Sequence, residues 1–597
     1  MTTFVRSPAL TSPAASEKPT APNASTALAR VLVDELARCG LTDAVLAPGS
    51  RSTALALAFD DDVRVRLHVS LDERSASFVA LGLARATGRA AAVVTTSGSA
   101  VANLHPAIIE AHHGAVPLVV LTADRPAELR ETAANQSIDQ VKIFGDAVRW
   151  FVDLGTPSDV PGANAFWRST VSQAWARAHS LSGPAGPVHL NVPFREPTVP
   201  HTDDGRTSSP AFFGEIAGRA GGAPFTKVRR AAQESSGAAE AIADAMRNAS
   251  RGLVLLGAGD FVPAPVTQLA RAAHVPLIAE PFSNGRRGAS GIAHGHLLVA
   301  AGLAPQPDVV VRVGRTGVSR AVEQWLAGNV RQILVDAHGR FLDPGRAVAE
   351  IVVADPDACL GLAARLLREQ PPADNGLLQA WRDRDAEVAA ILDETFAQGP
   401  LTGPAVARTI VAALPVDAAF VVASSAPIRD VDAYAPLRED VFMLGNRGAS
   451  GIDGFTSTAL GAALGWPGPT VALAGDLSFL HDQNGWLLRE DGPAVDLVMV
   501  VVDNNGGGLF HGLPVASEPS FERLFGTPHG LELGAVGRAL GLQVASATTT
   551  DSLTQAVTDA IASGGRHVIH VRTDRAHESE LRTQLLERVR RLERLSA

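Results

Sequence analysis

The chain has 597 residues, 46% of them hydrophobic and 19% charged, with a net charge of −10 and a pI near 5.9. That length holds about three to five domains of roughly 100–200 residues, and the apolar share suffices for several buried cores. The acidic balance excludes nucleic acid as a general partner, because duplex binding needs a basic face, and no apolar run reaches the ~20 residues of a membrane span.

Residues 1–26 are rich in Ser, Pro, Thr and Ala and lack a continuous apolar stretch. They predict a disordered tail rather than a secretory signal. Residues 27–199 form a first α/β block. Its strands are DAVLAPG, VRLHVSLDE, AAAVVTTSGS and VPLVVLTADRP, with helices between them, one running through His113. Near-continuous apolar strands alternating with helices predict a parallel sheet covered on both faces. Residues 200–228 are polar and rich in Gly, Ser and Pro, and read as a linker. A central block, 229–370, follows with strands GLVLLGAGD, VPLIAEP, DVVVRVG and RQILVDAHG. Residues 371–394 are a connection. The last block, 395–597, has strands AAFVVASS, VFMLGNRG, TVALAGD, VDLVMVVVDNN and HVIHVRTD. The first and last blocks share a layout of small-residue helix, Gly turn and apolar strand, with Gly82 and Gly461 in matching places, which suggests duplication. The two cysteines, Cys39 and Cys359, lie far apart without metal-ligand spacing and read as free thiols of a reducing cytosol.

If TVALAGD and VDLVMVVVDNN are neighbouring parallel strands, roughly 4.8 Å apart, Asp476 and Asn504 meet at the carboxyl edge of the sheet, where open α/β sheets bind ligands. A carboxylate, an amide oxygen and a backbone carbonyl freed by the Gly506-Gly507-Gly508 run (Gly506 being the expected third ligand) suit Mg²⁺ completed by phosphate oxygens and water. Each element alone is more often a capping Asp or an Asn-Gly turn. Together they predict a metal–diphosphate site.

Gly475-Asp476 followed by Asn504-Asn505 resembles the metal–diphosphate signature of thiamine-diphosphate enzymes. PGSRSTALALA, HVSLDERSASFVALGLA, TTSGSAVANLHPAIIEAHH, LTADRP, ANQSIDQ, SNGRRG and NRGASGIDG resemble one family within them, the 2-succinyl-5-enolpyruvyl-6-hydroxy-3-cyclohexene-1-carboxylate (SEPHCHC) synthases of menaquinone biosynthesis. The resemblance covers most of 27–590 and is weakest in the middle. Leu477, where many thiamine enzymes have Gly, fits this family.

The resemblance implies three doubly wound domains: pyrimidine-binding, central and diphosphate-binding. It implies thiamine diphosphate with Mg²⁺ (Mn²⁺ as an alternative) and a homodimer or dimer of dimers that shares its sites between subunits. The implied reaction is decarboxylation of 2-oxoglutarate and conjugate addition of the succinyl carbanion equivalent to isochorismate, a transferase activity in the cytoplasm. Glu73, at the end of LHVSLDE, matches the carboxylate that faces the aminopyrimidine. Ile452 matches the apolar wedge that bends the cofactor. Ser450, Gly451, Leu477, Ser478, Gly507 and Phe510 complete the cofactor set. Substrate carboxylates call for arginine forks, and the matching positions are Arg51, Arg125, Arg429 and Arg447. Ser50, Gln136 and Ser425 are their neutral partners, with Phe510 and Leu513 as an apolar lid. Arg315 and Arg320 are looser candidates in the central block. The histidines His105, His112, His113, His481 and His511 carry no assigned role.

A sister thiamine enzyme such as acetolactate synthase or a 2-oxoacid decarboxylase is the nearest alternative; the arginine set and SGIDG argue against it. A non-catalytic regulator on the same fold should lack Glu73, Asp476 or Asn504. A nucleotide-dependent oxidoreductase needs G-x-G-x-x-G, of which GLVLLGAGD has only the first half.

Overall fold

The computed structural model describes residues 23–181, 183–200, 216–229, 235–328, 330–397, 399–489 and 492–595. Most of the expected tail, 1–22, and the linker segment 201–215 lie outside these residues.

Three parallel sheets follow one another along the chain. The first holds β1 Asp43–Leu46, β2 Arg66–Val69, β3 Ala91–Thr95, β4 Leu118–Asp124, β5 Trp150–Asp153 and β6 Pro187–Pro193, in the order β2-β1-β3-β4-β6-β5. The second holds β7 Gly252–Leu256, β8 Leu277–Ala279, β9 Val309–Val313, β10 Arg331–Val335 and β11 Glu350–Val352, in the order β11-β10-β9-β7-β8. The third holds β12 Ala418–Val422, β13 Val441–Leu444, β14 Thr470–Gly475, β15 Leu497–Asp503, β16 Gln543–Ser546 and β17 Arg566–Arg572, in the order β13-β12-β14-β15-β17-β16. The first and third orders are the same order. β4 and β15, central in their sheets, are buried at every position, as two-sided cover by helices requires.

The Glu73–Thr87 and Phe455–Gly465 helices lock these two sheets together. A Cβ on Gly82 would come within 2.1 Å of the Thr458 carbonyl, and one on Gly461 within 2.1 Å of the Val79 carbonyl. Two glycines thus allow two helix backbones to touch, and they do so reciprocally.

Several expectations are corrected. The LHVSLDE strand ends at Val69, and Glu73 opens the next helix, because Asp72 caps that helix by accepting the Ser75 N–H at 3.1 Å. The helix expected to run through His113 breaks into Ser99–Ala102 and His105–Gly114; Pro106 has no N–H for the Ala102 carbonyl and its ring would clash there. The 371–394 connection is largely the Leu377–Ala397 helix, which buries Trp381, Val388 and Leu392. The described end of the linker is tied to the first block: buried Arg168 donates to the Ile216 carbonyl at 2.5 Å and pairs with buried Glu35 at 2.8 Å. No described helix is long and apolar enough to cross a membrane.

Candidate active site

The carboxyl edge of the third sheet gathers oxygen donors. β14 and β15 are adjacent and parallel, with Gly475 opposite Val502, so Asp476 and Asn504 emerge side by side. Asp476 is 2% exposed. Its Oδ1 accepts the Leu477 N–H at 2.6 Å and its Oδ2 the Gly506 N–H at 2.7 Å. Burial raises its carboxyl above the ordinary value even though both amides oppose the shift. Asn504 turns its Nδ2 toward Glu578 Oε2 at 3.5 Å, which leaves its Oδ1 buried with no partner. Gly506 (φ 131°) and Gly507 must be glycines: a Cβ there would lie 1.9 Å from the Gly526 carbonyl and 2.2 Å from the Phe525 carbonyl.

Two neighbours that the sequence did not single out complete this edge. Donor atoms of Asp476, Asp503 and His529 lie within 4.8 Å of one another, and His529 Nε2 is 3.3 Å from Asp476 Oδ2 and 3.5 Å from Asp503 Oδ1. Asp503 was already visible as the residue before Asn504; nothing in the spacing of His529 marked it. An orphaned buried oxygen beside a desolvated carboxylate fits a hard divalent cation. The Gly506 carbonyl, expected as a ligand, accepts the Gly508 N–H at 2.9 Å.

Around this edge the structure brings together most of the third-block candidates. Leu477 and Ser478 lie in the Asp476–His481 helix. Ser425 (φ 75°) opens the Ala426–Tyr434 helix and accepts Arg429 Nη1 on its carbonyl at 2.6 Å. Burial lowers the Arg429 guanidinium, and nearby Arg447 lowers it further. Arg447 also donates to the Gly317 carbonyl of the central block at 3.3 Å. Ser450, Gly451 and Ile452 are half-buried in the loop before the Phe455–Gly465 helix. Phe510 meets Phe525 edge-on with ring centroids 5.9 Å apart, while Leu513 is 43% exposed and covers little within one chain.

The first-block candidates gather at the carboxyl edge of their own sheet. Arg51 pairs with Glu196 at 3.0 Å and donates to the Phe194 carbonyl at 3.1 Å. Arg125 donates twice to the Asn135 carbonyl, at 3.1 and 2.6 Å. Arg51 Nε and Arg125 Nη1 remain buried without partners. Burial and then the charge of Arg51 hold Arg125 below its usual range. Gln136 (φ 54°) donates to the Ser97 carbonyl at 3.1 Å, and Ser50 is exposed beside Arg51. Glu73 is half-buried and bonds to no described side chain, while its neighbours Asp72, Arg74 and Ser75 reach Asn484, His481 and Asp482.

Among the described residues, no hydrogen bond or ion pair joins the first-block set, or Glu73, to the third-block set. Arg315 leaves the surface for the junction of the three blocks, donating to the Gly448 and His113 carbonyls at 2.8 and 2.6 Å; Arg320 stays exposed. The cavity at that junction, about 450 Å³, is lined by Arg85, Arg287, Arg315, Arg340 and Arg447 among others. Of the asparagine, aspartate and glycine residues of the metal edge, none lines it. Of the histidines without an assigned role, His105 lies edge-on to Phe144, His112 meets the Arg149 guanidinium, and His511 lies edge-on to Phe521.

Comparison with known proteins gives this geometry a lineage. Residues 26–143 match the thiamine pyrophosphate enzyme N-terminal TPP binding domain, and residues 438–571 match the C-terminal TPP binding domain. Among solved structures, benzoylformate decarboxylase from Polynucleobacter necessarius superposes with a TM-score of 0.67 at 20% identity, covering 92% of this chain and 98% of that one; this likeness concerns the fold. The 2-succinyl-5-enolpyruvyl-6-hydroxy-3-cyclohexene-1-carboxylate synthase of Thermobifida fusca is 42% identical over 95% of this chain and 99% of its own length. The same enzyme of Halobacterium salinarum is 40% identical over 96% and 99%. The chain therefore belongs to the 2-succinyl-5-enolpyruvyl-6-hydroxy-3-cyclohexene-1-carboxylate synthase family of thiamine-diphosphate enzymes.

Proposed function

We propose that the protein releases CO₂ from 2-oxoglutarate and transfers the remaining succinyl unit, by conjugate addition, to isochorismate, forming SEPHCHC. The observation that carries the reading is the metal edge: a buried Asp476 carboxylate beside the unpartnered Asn504 Oδ1, in a chain with 42% identity to a SEPHCHC synthase. Thiamine diphosphate supplies the nucleophilic carbon and the electron sink for decarboxylation. Asp476 and Asn504 would hold Mg²⁺, or Mn²⁺ as an alternative, with the Gly506–Gly507 turn against the diphosphate. Glu73 would hold and return a proton at the pyrimidine ring, as a positioned carboxylate does. Ile452 would support the bent cofactor. Arg51 and Arg125 on one edge, and Arg429 and Arg447 on the other, would orient the substrate carboxylates through charge-assisted bonds.

We also propose a homodimer, or a dimer of dimers. Among the described residues Glu73 and Asp476 make no bond to one another, and a second copy offers each of them the other's partner residue. A cytoplasmic location goes with this reading. The test is isochorismate consumption by purified protein with 2-oxoglutarate, thiamine diphosphate and Mg²⁺ each omitted in turn. Consumption that needs all three supports the reaction. CO₂ release from a 2-oxoacid without isochorismate loss moves the protein to a sister thiamine enzyme. Full activity from a strictly monomeric species would remove the shared-site arrangement.

A further inference from the structure

The geometry points to Glu110 as a positioning residue for the loop 446–454, an assignment that rests on reading Arg447, Ser450 and Ile452 as site residues. This loop, NRGASGIDG, has no strand or helix of its own until Phe455. Ser450 and Gly454 have left-handed backbone (φ 65° and 66°), so the loop's shape must be imposed by its contacts. Its own block holds its two ends: Ser424 Oγ donates to the Asn446 carbonyl at 2.8 Å, Asn446 Nδ2 donates to Thr458 Oγ1 at 3.0 Å, and the Gly454 carbonyl accepts the Thr458 N–H at 2.9 Å.

The middle of the loop is held from the other two blocks. Glu110, in the His105–Gly114 helix, is 3% exposed. Its Oε1 accepts the Gly448 N–H at 2.7 Å, and its Oε2 accepts the N–H groups of Ala449 at 2.7 Å and Ser450 at 3.4 Å. The Gly448 carbonyl meanwhile accepts Arg315 Nη1 at 2.8 Å. The same peptide is thus held at its N–H by the first block and at its carbonyl by the central one. The loop also lies directly on the helix: a Cβ at Gly448 would be 2.3 Å from the Glu110 carbonyl oxygen.

Consecutive N–H groups converging on one anion form a nest, and bonds to a charged acceptor are roughly twice as strong as neutral ones. The buried carboxylate is balanced by Arg85 Nη2, 2.7 Å from Oε1. Arg447 immediately precedes the three clasped amides, and Ile452 follows two residues after them. A shift of the clasp therefore moves a substrate cation and the cofactor wedge together, and misplacement by about 1 Å can cost about a hundredfold in rate. The sequence held a trace of this: Glu110 is a lone acid in the apolar run AIIEA.

Glu110→Gln keeps the shape but turns an N–H₂ toward an N–H donor, so at least one loop amide loses its acceptor. Hydrogen exchange of the 446–451 segment, measured without substrate, should rise at least tenfold. In the same variant kcat should fall at least tenfold, while Mg²⁺-dependent thiamine diphosphate affinity stays within threefold because Asp476 and Asn504 are untouched. Arg85→Lys keeps a balancing charge beside the carboxylate and leaves the clasp, and should stay within threefold of the parent in both exchange and kcat. Glu110→Asp keeps the charge with a shorter reach and should show the same effects in milder form, which preserves the test if Glu110→Gln does not fold. Unchanged loop exchange in the Glu110 variants, or an Arg85→Lys protein that copies them, would overturn the assignment and leave an ordinary ion pair within the first block. If the parent protein does not consume isochorismate, the functional reading fails, and the exchange measurement still decides the clasp.

Discussion

The first and third sheets carry the same strand order and opposite chemistry. Along β3, β4 and β6 their correspondence with β14, β15 and β17 runs residue by residue at a constant offset. β4 Leu118–Asp124 matches β15 Leu497–Asp503 from first residue to last, and across the helix contact Gly82 meets Thr458 and Ala462 while its counterpart Gly461 meets their counterparts Val79 and Leu83. At that offset Ser97 stands where Asp476 stands, and Arg125 where Asn504 stands. One edge presents a hydroxyl and a guanidinium with an unpartnered N–H, the other a carboxylate and an amide with an unpartnered oxygen. Even the shared aspartate is used differently. Asp124 is held by Asn191 at 2.9 Å and Arg130 at 3.0 Å, in an arginine-rich corner. Asp503 is held by His570 at 2.7 Å, facing the metal edge. The common topology decides where a site can form, at the ends of the central strands. The side chains on those ends decide whether it takes a cation or an anion.

The most severe break of this comparison is Asp476→Ala. Losing a partner that merely orients a ligand costs about 10–100-fold in metal affinity, so losing the ligand itself should weaken Mg²⁺-dependent cofactor binding by more than about a hundredfold. The counterpart Ser97→Ala should leave that affinity unchanged. Titration of both variants with thiamine diphosphate at fixed Mg²⁺ checks the pair; equal losses would mean that the edges are not divided as described. Glu73→Gln should preserve folding and cofactor affinity while kcat falls by about 10²–10⁴, the usual share of a positioned acid–base group. Steady-state rates beside a far-ultraviolet spectrum measure this, and a parent-like kcat would remove Glu73 from the chemistry.

Much of the division was legible in the sequence, for a physical reason. Buried parallel strands write themselves as continuous apolar runs, and their ends are marked by the first polar residues after them. PGSRS, ADRP, GDLS and DNNGGG could therefore be placed at sheet edges without coordinates. Gly82 and Gly461 were legible for a similar reason, since they interrupt otherwise helical runs of small residues. The edge strands β5, β11 and β16 and the buried β6 were not singled out; the edge strands are incompletely buried, and in β6 His189 and Asn191 interrupt the apolar run. Three-dimensional neighbours far apart in sequence were equally hidden. His529 reaches Asp476 from a separate turn, and Glu110 reaches amides more than three hundred positions away. No periodicity encodes such contacts. Glu73 was placed on a strand because SLDE continues the run, whereas the side chain of Asp72 had already begun the helix.

A smaller effect sharpens the anion side. Arg125→Ala and Arg429→Ala each remove one buried-edge guanidinium, and a hydrogen bond to a charged group contributes about 1.5–3 kcal/mol. Each should raise one substrate's KM by about ten- to a hundredfold. If the two edges hold different carboxylates, the two variants will affect different substrates, one 2-oxoglutarate and the other isochorismate. The same substrate responding to both would place the arginines around a single carboxylate.

The finest test concerns the helix contact that joins the two edges. In an ordinary helix interior Gly→Ala stabilises by about 1 kcal/mol. At Gly82 and Gly461 the new methyl would instead meet a backbone carbonyl at 2.1 Å. A carbonyl in a packed helix cannot swing aside as a side chain can, so the helices must separate, and overpacking of this kind typically costs about 1–3 kcal/mol. The sign of the effect is therefore reversed. Because the two contacts mirror one another, Gly82→Ala and Gly461→Ala should lower the Tm by similar amounts. The double variant should fall short of their sum, since one separation of the helices relieves both clashes and contacting sites do not add. Calorimetry of the three variants reads all of this. Stabilisation by either alanine, or strict additivity, would show that the two helices do not approach as closely as their glycines allow.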